Sequence, residues 1–162
     1  MRLLQSLAIA AALLPLSIAS ASAEDYVALR AGVFDIDDIY ETANFGVEYR
    51  GDYCWQNLMP IVGVEANADG SLYGYAGAGY DFMLGDSWAL TPSFAVGAYH
   101  QGDDSRDLGG TLEFRSALEL DYLFANAHRV GVSVEHLSNA GIYEHNSGTN
   151  GVMVNWSIPL NF

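Results

Sequence analysis

The last eleven residues, VMVNWSIPLNF, constrain the fold of this chain more than any other stretch. Val152, Val154, Trp156, Ile158, Leu160 and Phe162 share one parity, and Asn155, Ser157, Pro159 and Asn161 the other. Successive side chains of a β-strand point to opposite faces, so strict period-two alternation specifies a strand with one apolar face. The pattern recurs upstream. In TLEFRSALELDYLF, Leu112, Phe114, Leu118, Leu120 and Tyr122 lie opposite Glu113, Arg115, Glu119 and Asp121. SWALTPSFAVGAY alternates Trp88, Leu90, Pro92, Phe94 and Val96 with smaller or polar residues, and ANFGVEYR sets Phe45, Val47 and Tyr49 against Asn44, Gly46, Glu48 and Arg50. Strands are predicted near 26–35, 42–51, 58–67, 71–82, 87–99, 110–122, 127–138 and 150–162. Eight strands of about ten residues suit a small transmembrane barrel.

A soluble sandwich alternates in the same way, but it turns a richly charged face to water. Several polar faces here carry Gly, Ser, Thr and Asn instead. Aromatic residues fall at strand ends (Tyr49, Tyr80, Trp88, Tyr122, Trp156, Phe162), where an interfacial girdle would sit. The expected fold is therefore all-β, an eight-stranded antiparallel transmembrane β-barrel. Its aromatic final strand resembles the C-terminal signature of bacterial outer-membrane barrels. Glu48, Arg50, Glu65, Glu113, Arg115, Glu119, Arg129 and Glu135 fall on inward faces. They are expected to pair and plug the lumen, because eight strands leave room for little but side chains.

Met1–Ala23 reads as a cleaved secretory signal peptide: Arg2 begins it, LAIAAALLPLSIA is its apolar core, and Ala21, Ser22 and Ala23 form a small-residue cleavage site. The expected organisation is a signal peptide at 1–23 and a barrel at 24–162, exported to the bacterial outer membrane. The net charge of −14, with 6 basic residues against 20 acidic ones, excludes nucleic acid as a natural partner. With Cys54 the lone cysteine, no intrachain disulfide can form. His100, His128, His136 and His145 show no metal-ligand spacing, so neither a metal nor a cofactor is expected. The oligomeric state stays open, a homodimer included.

Barrels of this kind keep both termini in the periplasm, with short turns there and longer loops outside. Strand counting then puts 84–87 and 125–127 on the periplasmic side. It puts 35–41, 100–110 and 139–149 outside. The segment HLSNAG at 136–141 lies at the outer end of the seventh strand. His136 shares the parity of Val130, Val132 and Val134, so it faces lipid, as does Ser138. Two polar tips at the headgroup level could simply end the strand. Residues two apart also lie side by side on one face. A histidine there can take the serine proton and create a nucleophile, with an oxyanion site drawn from the amide and flexible backbone that follow.

HLSNAG followed by NSGTN resembles the signature of the lipid A 3-O-deacylases, the PagL type of outer-membrane barrel. The likeness extends over residues 24–162 in architecture and over about 136–150 in motif. It implies a serine esterase that removes the 3-position acyl chain of lipid A from outside the barrel wall, with lipopolysaccharide as its partner. By that resemblance His136 is the general base and Ser138 the nucleophile. Asn139 and the backbone near Gly141 form the oxyanion site, and Asn146 organises the loop. The family pattern places the triad glutamate four residues beyond this asparagine, where the chain has Asn150. Its parity still points it to lipid beside His136, so the geometry survives and the charge is lost. Slow turnover is expected, and Asn150→Glu is expected to raise it at least about tenfold. Glu144 is the alternative acid. Two other function classes compete: a barrel that binds lipid A without turnover, and a structural small barrel in which HLSNAG is coincidence.

Overall fold

The structure, a computed structural model, describes residues 25–55 and 57–160. The expected signal peptide and Phe162 lie outside the described residues. The strands are β1 (Asp25–Phe34), β2 (Thr42–Arg50), β3 (Leu58–Asn67), β4 (Leu72–Tyr80), β5 (Phe82–Met83), β6 (Trp88–His100), β7 (Leu112–Leu123), β8 (Arg129–Ser138) and β9 (Thr149–Leu160). All pair antiparallel in the order β4-β3-β2-β1-β9-β8-β7-β6, and the β4–β6 pairing closes the ring. The sheet is thus an eight-stranded barrel with β5 a short continuation of β4. The predicted strand at 71–82 breaks at Asp81, whose carboxylate turns inward to accept from Thr91 Oγ1 (2.6 Å), Tyr53 OH (2.7 Å) and Arg129 Nη1 (2.5 Å).

Alternation decides which side faces what. In β8, Arg129, Gly131, Ser133, Glu135 and Leu137 are buried, while Val130, Val132, Val134 and His136 are exposed. Val132 is 52% exposed, Val154 55% and Phe94 58%. An apolar surface this extensive is stable only against lipid. Trp88 and Tyr122 meet edge to face at one rim, and His128 stacks on Trp156 at the same end.

The lumen is filled. Arg30 donates to Glu65, to Tyr75 OH (2.8 Å), to Glu135 Oε2 (2.7 Å) and through Nε to Asn155 Oδ1 (3.0 Å). Arg115 shares Glu135 (2.9 Å). Arg50 grips Glu119 with both terminal nitrogens at 2.8 Å and Glu48 through Nε at 2.7 Å. Charges taken out of water need partners, and these find them; Glu113, also expected to pair, is buried with neither carboxylate oxygen hydrogen-bonded among the described residues. Phe34, Met59, Ile61, Tyr73, Tyr75, Tyr99, Leu108 and Leu137 form the apolar part of the same core.

Candidate active site on the outer wall

The ladders on either side of β8 bring the site together. Across β7–β8, His136 pairs with Ser116, and across β8–β9 it pairs with Asn150. All three side chains point out of the barrel. His136 Nδ1 lies 2.8 Å from Asn150 Oδ1. On its other side Asn150 Nδ2 donates to Asp37 Oδ2 at 2.9 Å. The outer rim therefore carries a continuous row of imidazole, amide and carboxylate.

Asp37 reaches this row because the loop after β1 leaves along β9. The β1–β9 ladder ends at Phe34 opposite Gly151, and Ile36 N extends it by one bond to Asn150 O (3.1 Å). Asp35 then turns the chain with a left-handed φ of 59° and accepts from Thr149 Oγ1 at 2.8 Å. Arg106, from the loop between β6 and β7, pairs with Asp35 (3.4 Å) and with Asp38. The Ile39 N–H and the Arg106 guanidinium both hold the Asp38 carboxyl below its ordinary range. Two of the three aspartates thus anchor the loop, and Asp37 is left facing Asn150.

Ser138 is half-buried opposite Phe114, on the same face as His136 and two residues on. Among the described residues no hydrogen bond joins it to His136. Catalytic contacts of this type are often long until substrate seats. Beyond Ser138 the loop is held by amides. Asn139 is fully buried; its Nδ2 donates to Leu108 O and His145 O, both at 2.8 Å, and its Oδ1 accepts from Gly141 N at 3.0 Å. Both hydrogens of the Asn139 amide are thereby used. Asn146 Oδ1 accepts from Asn139 N at 3.1 Å. Glu144 is exposed and makes no hydrogen bond with His136 among the described residues. Gly148, with φ of 59°, passes beneath the imidazole. A Cβ there would lie 3.1 Å from His136 Cε1, a tight approach, and the left-handed φ favours glycine as well.

A groove of about 480 Å³ opens on the outer wall beside the histidine, lined by Ile36, Ser116, Leu118, Val134, His136 and Asn150 among others. Leu118 pairs with Val134 at one level of the wall, and Ser116, His136 and Asn150 lie at the next level outward, so the groove has an apolar part beside a polar one.

The sequence profile described as lipid A 3-O-deacylase (PagL) matches residues 43–159. The chain belongs to the PagL family. A curated relative, the lipid A deacylase PagL of Pseudomonas aeruginosa, is 28% identical over 185 aligned residues, covering 99% of this chain and all of the relative. The crystal structure of the outer membrane enzyme PagL superposes with a TM-score of 0.65 at 25% identity, over 84% of this chain and 99% of that one. A designed transmembrane β-barrel matches at a TM-score of 0.52 and 14% identity, covering 83% and 95%, a likeness of fold alone.

Several parts of the candidate site escaped sequence reasoning. Asp37 lies 113 residues from Asn150, in a loop that reads only as acidic. The DIDD spacing held no signal until β1–β9 closure put it beside the histidine. Ser116 was hidden for the same reason: its place across from His136 depends on the β7–β8 register. Gly148 was visible within NSGTN but not as a floor for the ring.

Proposed function

We propose that this PagL-family barrel is a lipid A 3-O-deacylase working as a serine esterase, exported to the outer membrane and acting on the outer leaflet. The observation that carries the reading is the outward-facing His136, held at Nδ1 by Asn150 over an apolar groove, with Ser138 on its face. The acyl chain lies along the wall in the groove and the glucosamine ester meets the rim. His136 Nε2 takes the Ser138 proton as Oγ attacks the ester carbonyl. The tetrahedral intermediate collapses, and the C–O bond to the sugar breaks. The departing 3-oxygen recovers the proton from His136, leaving the acyl chain on Ser138. Water then attacks the acyl-enzyme, gives its proton to His136, and the fatty acid leaves as Ser138 regains its hydrogen.

The oxyanion donor is not the Asn139 side chain, because both its hydrogens are committed to loop carbonyls. Gly141 N is likewise turned to Asn139 Oδ1. The donor assigned in this reading is Ala140 N–H, which lies between them in a left-handed turn (φ 55°) and meets no acceptor among the described residues.

Mass spectrometry of lipopolysaccharide incubated with the purified protein tests the reading. The wild type should release a 3-hydroxy fatty acid, and Ser138→Ala should release none while keeping the heat-modifiable migration of a folded barrel. Ser116, across from His136, is the competing nucleophile on geometry alone. Loss of turnover in Ser116→Ala with turnover kept in Ser138→Ala would transfer the role to it. Binding of lipid A by a wild type that releases nothing would instead support a non-catalytic barrel.

A further inference from the structure

We infer that Asp37 is a positioning residue for the deacylation proposed above, supplying through Asn150 the carboxylate function that the 150 position lacks. The inference rests on that proposed reaction for its kinetic consequence, but not for its structural one.

Hydrogen-bond chemistry determines the orientation of the whole row. An ionised carboxylate accepts and cannot donate. The amide atom 2.9 Å from Asp37 Oδ2 must therefore be the NH2 group of Asn150. The atom presented to the imidazole is then Oδ1, itself only an acceptor, so His136 Nδ1 at 2.8 Å must carry a hydrogen. Nε2 is left with a lone pair, the form that can take a proton from serine. An isolated asparagine offers no such guarantee, since its amide can turn over and present the NH2 to the ring. Asp37 removes that freedom. It also polarises the amide, so Oδ1 bears more negative charge as the imidazolium forms.

The loop is built to hold this one acid. Asp35 is engaged by Thr149 and Arg106, and Asp38 by the Ile39 N–H and Arg106. Of the three loop aspartates only Asp37 meets Asn150 among the described residues, and the bond from its neighbour Ile36 N to Asn150 O holds the loop backbone against β9 there. The charge stands one amide further from the ring than in a direct triad, and the row is exposed at the rim. Its loss should therefore cost less than the roughly 10⁴ of a direct acid-to-amide change, and nearer the ten- to hundredfold typical of outer-shell partners.

The arrangement also reverses the consequence of adding an acid at 150. With Asp37 in place, Asn150→Glu sets two carboxylates against each other at hydrogen-bond distance, and they cannot both ionise freely. The tenfold gain expected from the family pattern should then appear only when position 37 changes as well.

Nitrogen-15 spectra of histidine-labelled protein in detergent, with His136 assigned through His136→Gln, read the tautomer whether or not the protein turns over. The wild type should show His136 protonated at Nδ1, and Asp37→Ala should move it to a mixture or to Nε2–H. An unchanged tautomer would overturn the inference. On lipopolysaccharide, Asp37→Asn should lower kcat about ten- to hundredfold with KM within about twofold, and Asp37→Glu should recover part of it. Asp37→Asn combined with Asn150→Glu should regain or exceed the wild-type rate, whereas Asn150→Glu alone should not. A loop acid needed only for folding would lower both backgrounds alike, and that result would also overturn the assignment. A wild type with no deacylase activity would sink the proposed function, and the spectra would still decide the role of Asp37.

Discussion

In the inferred arrangement Asn150 and Asp37 divide between them the work of one carboxylate. The exposed Glu144, which makes no bond to His136 among the described residues, has no part in that division. Glu144→Gln should accordingly leave the deacylation rate within about twofold of wild type, since surface changes away from special features have small effects. A larger fall would return the triad acid to the loop. Asn139 should behave in the opposite manner. Asn139→Ala strands the Leu108 and His145 carbonyls in a buried position, at a cost of about 1–3 kcal/mol for groups left unpaired. Expected is a lower temperature for loss of activity while heat-modifiable migration persists, because the bonds lost tie loops rather than strands. At this scale the sequence disclosed what lies within one strand and little of what lies across strands. The common face of His136 and Ser138 follows from period two, and Asn150 shares their outward parity. The Asp37 contact requires knowing which strands adjoin, a property of the closed ring.

The register between strands is what turns these residues into a site. One residue of slippage between β8 and β9 would send His136 and Asn150 to opposite sides of the wall. On the other side of β8, close backbone approach bears on the β7–β8 register that places Ser116. At Gly131 in β8 a Cβ would lie 2.5 Å from Leu120 O and 2.1 Å from Asp121 Oδ1 of β7. Gly131→Val should thus force the two strands apart and destabilise the barrel by about 1–3 kcal/mol, the usual range for overpacking. The readout is the temperature at which the folded band disappears in unboiled electrophoresis. An unchanged transition would mean that β7 and β8 give way at no cost. The strands themselves were legible because each keeps one face in lipid for its whole length. Asp81 was not, since an inward-turned acid breaks β4 from β5 without disturbing the outer pattern. The loop after β1 carried no periodic signal and could be read only as a connection.

The closed ring has a filled centre. Arg30, Arg50 and Arg115 pair with Glu48, Glu65, Glu119 and Glu135 inside it, and the Arg50–Glu119 pair reaches from β2 across to β7 on the opposite wall. The protein reconstituted in a planar bilayer should show no stable single-channel conductance, and a reproducible open level would contradict the plugged lumen. The plugging was legible from the sequence because inward parity gathered both signs of charge. Which arginine held which acid was not, since long side chains from any strand can meet at the axis. A reactive face on the outside of a sealed cylinder also changes what concentration means for it. In the proposed reaction, substrate would reach His136 by lateral diffusion within one leaflet, so saturation would be governed by the mole fraction of lipid A among its neighbours. Diluting mixed micelles with inert detergent at constant bulk substrate should slow the reaction, while diluting them with buffer should not.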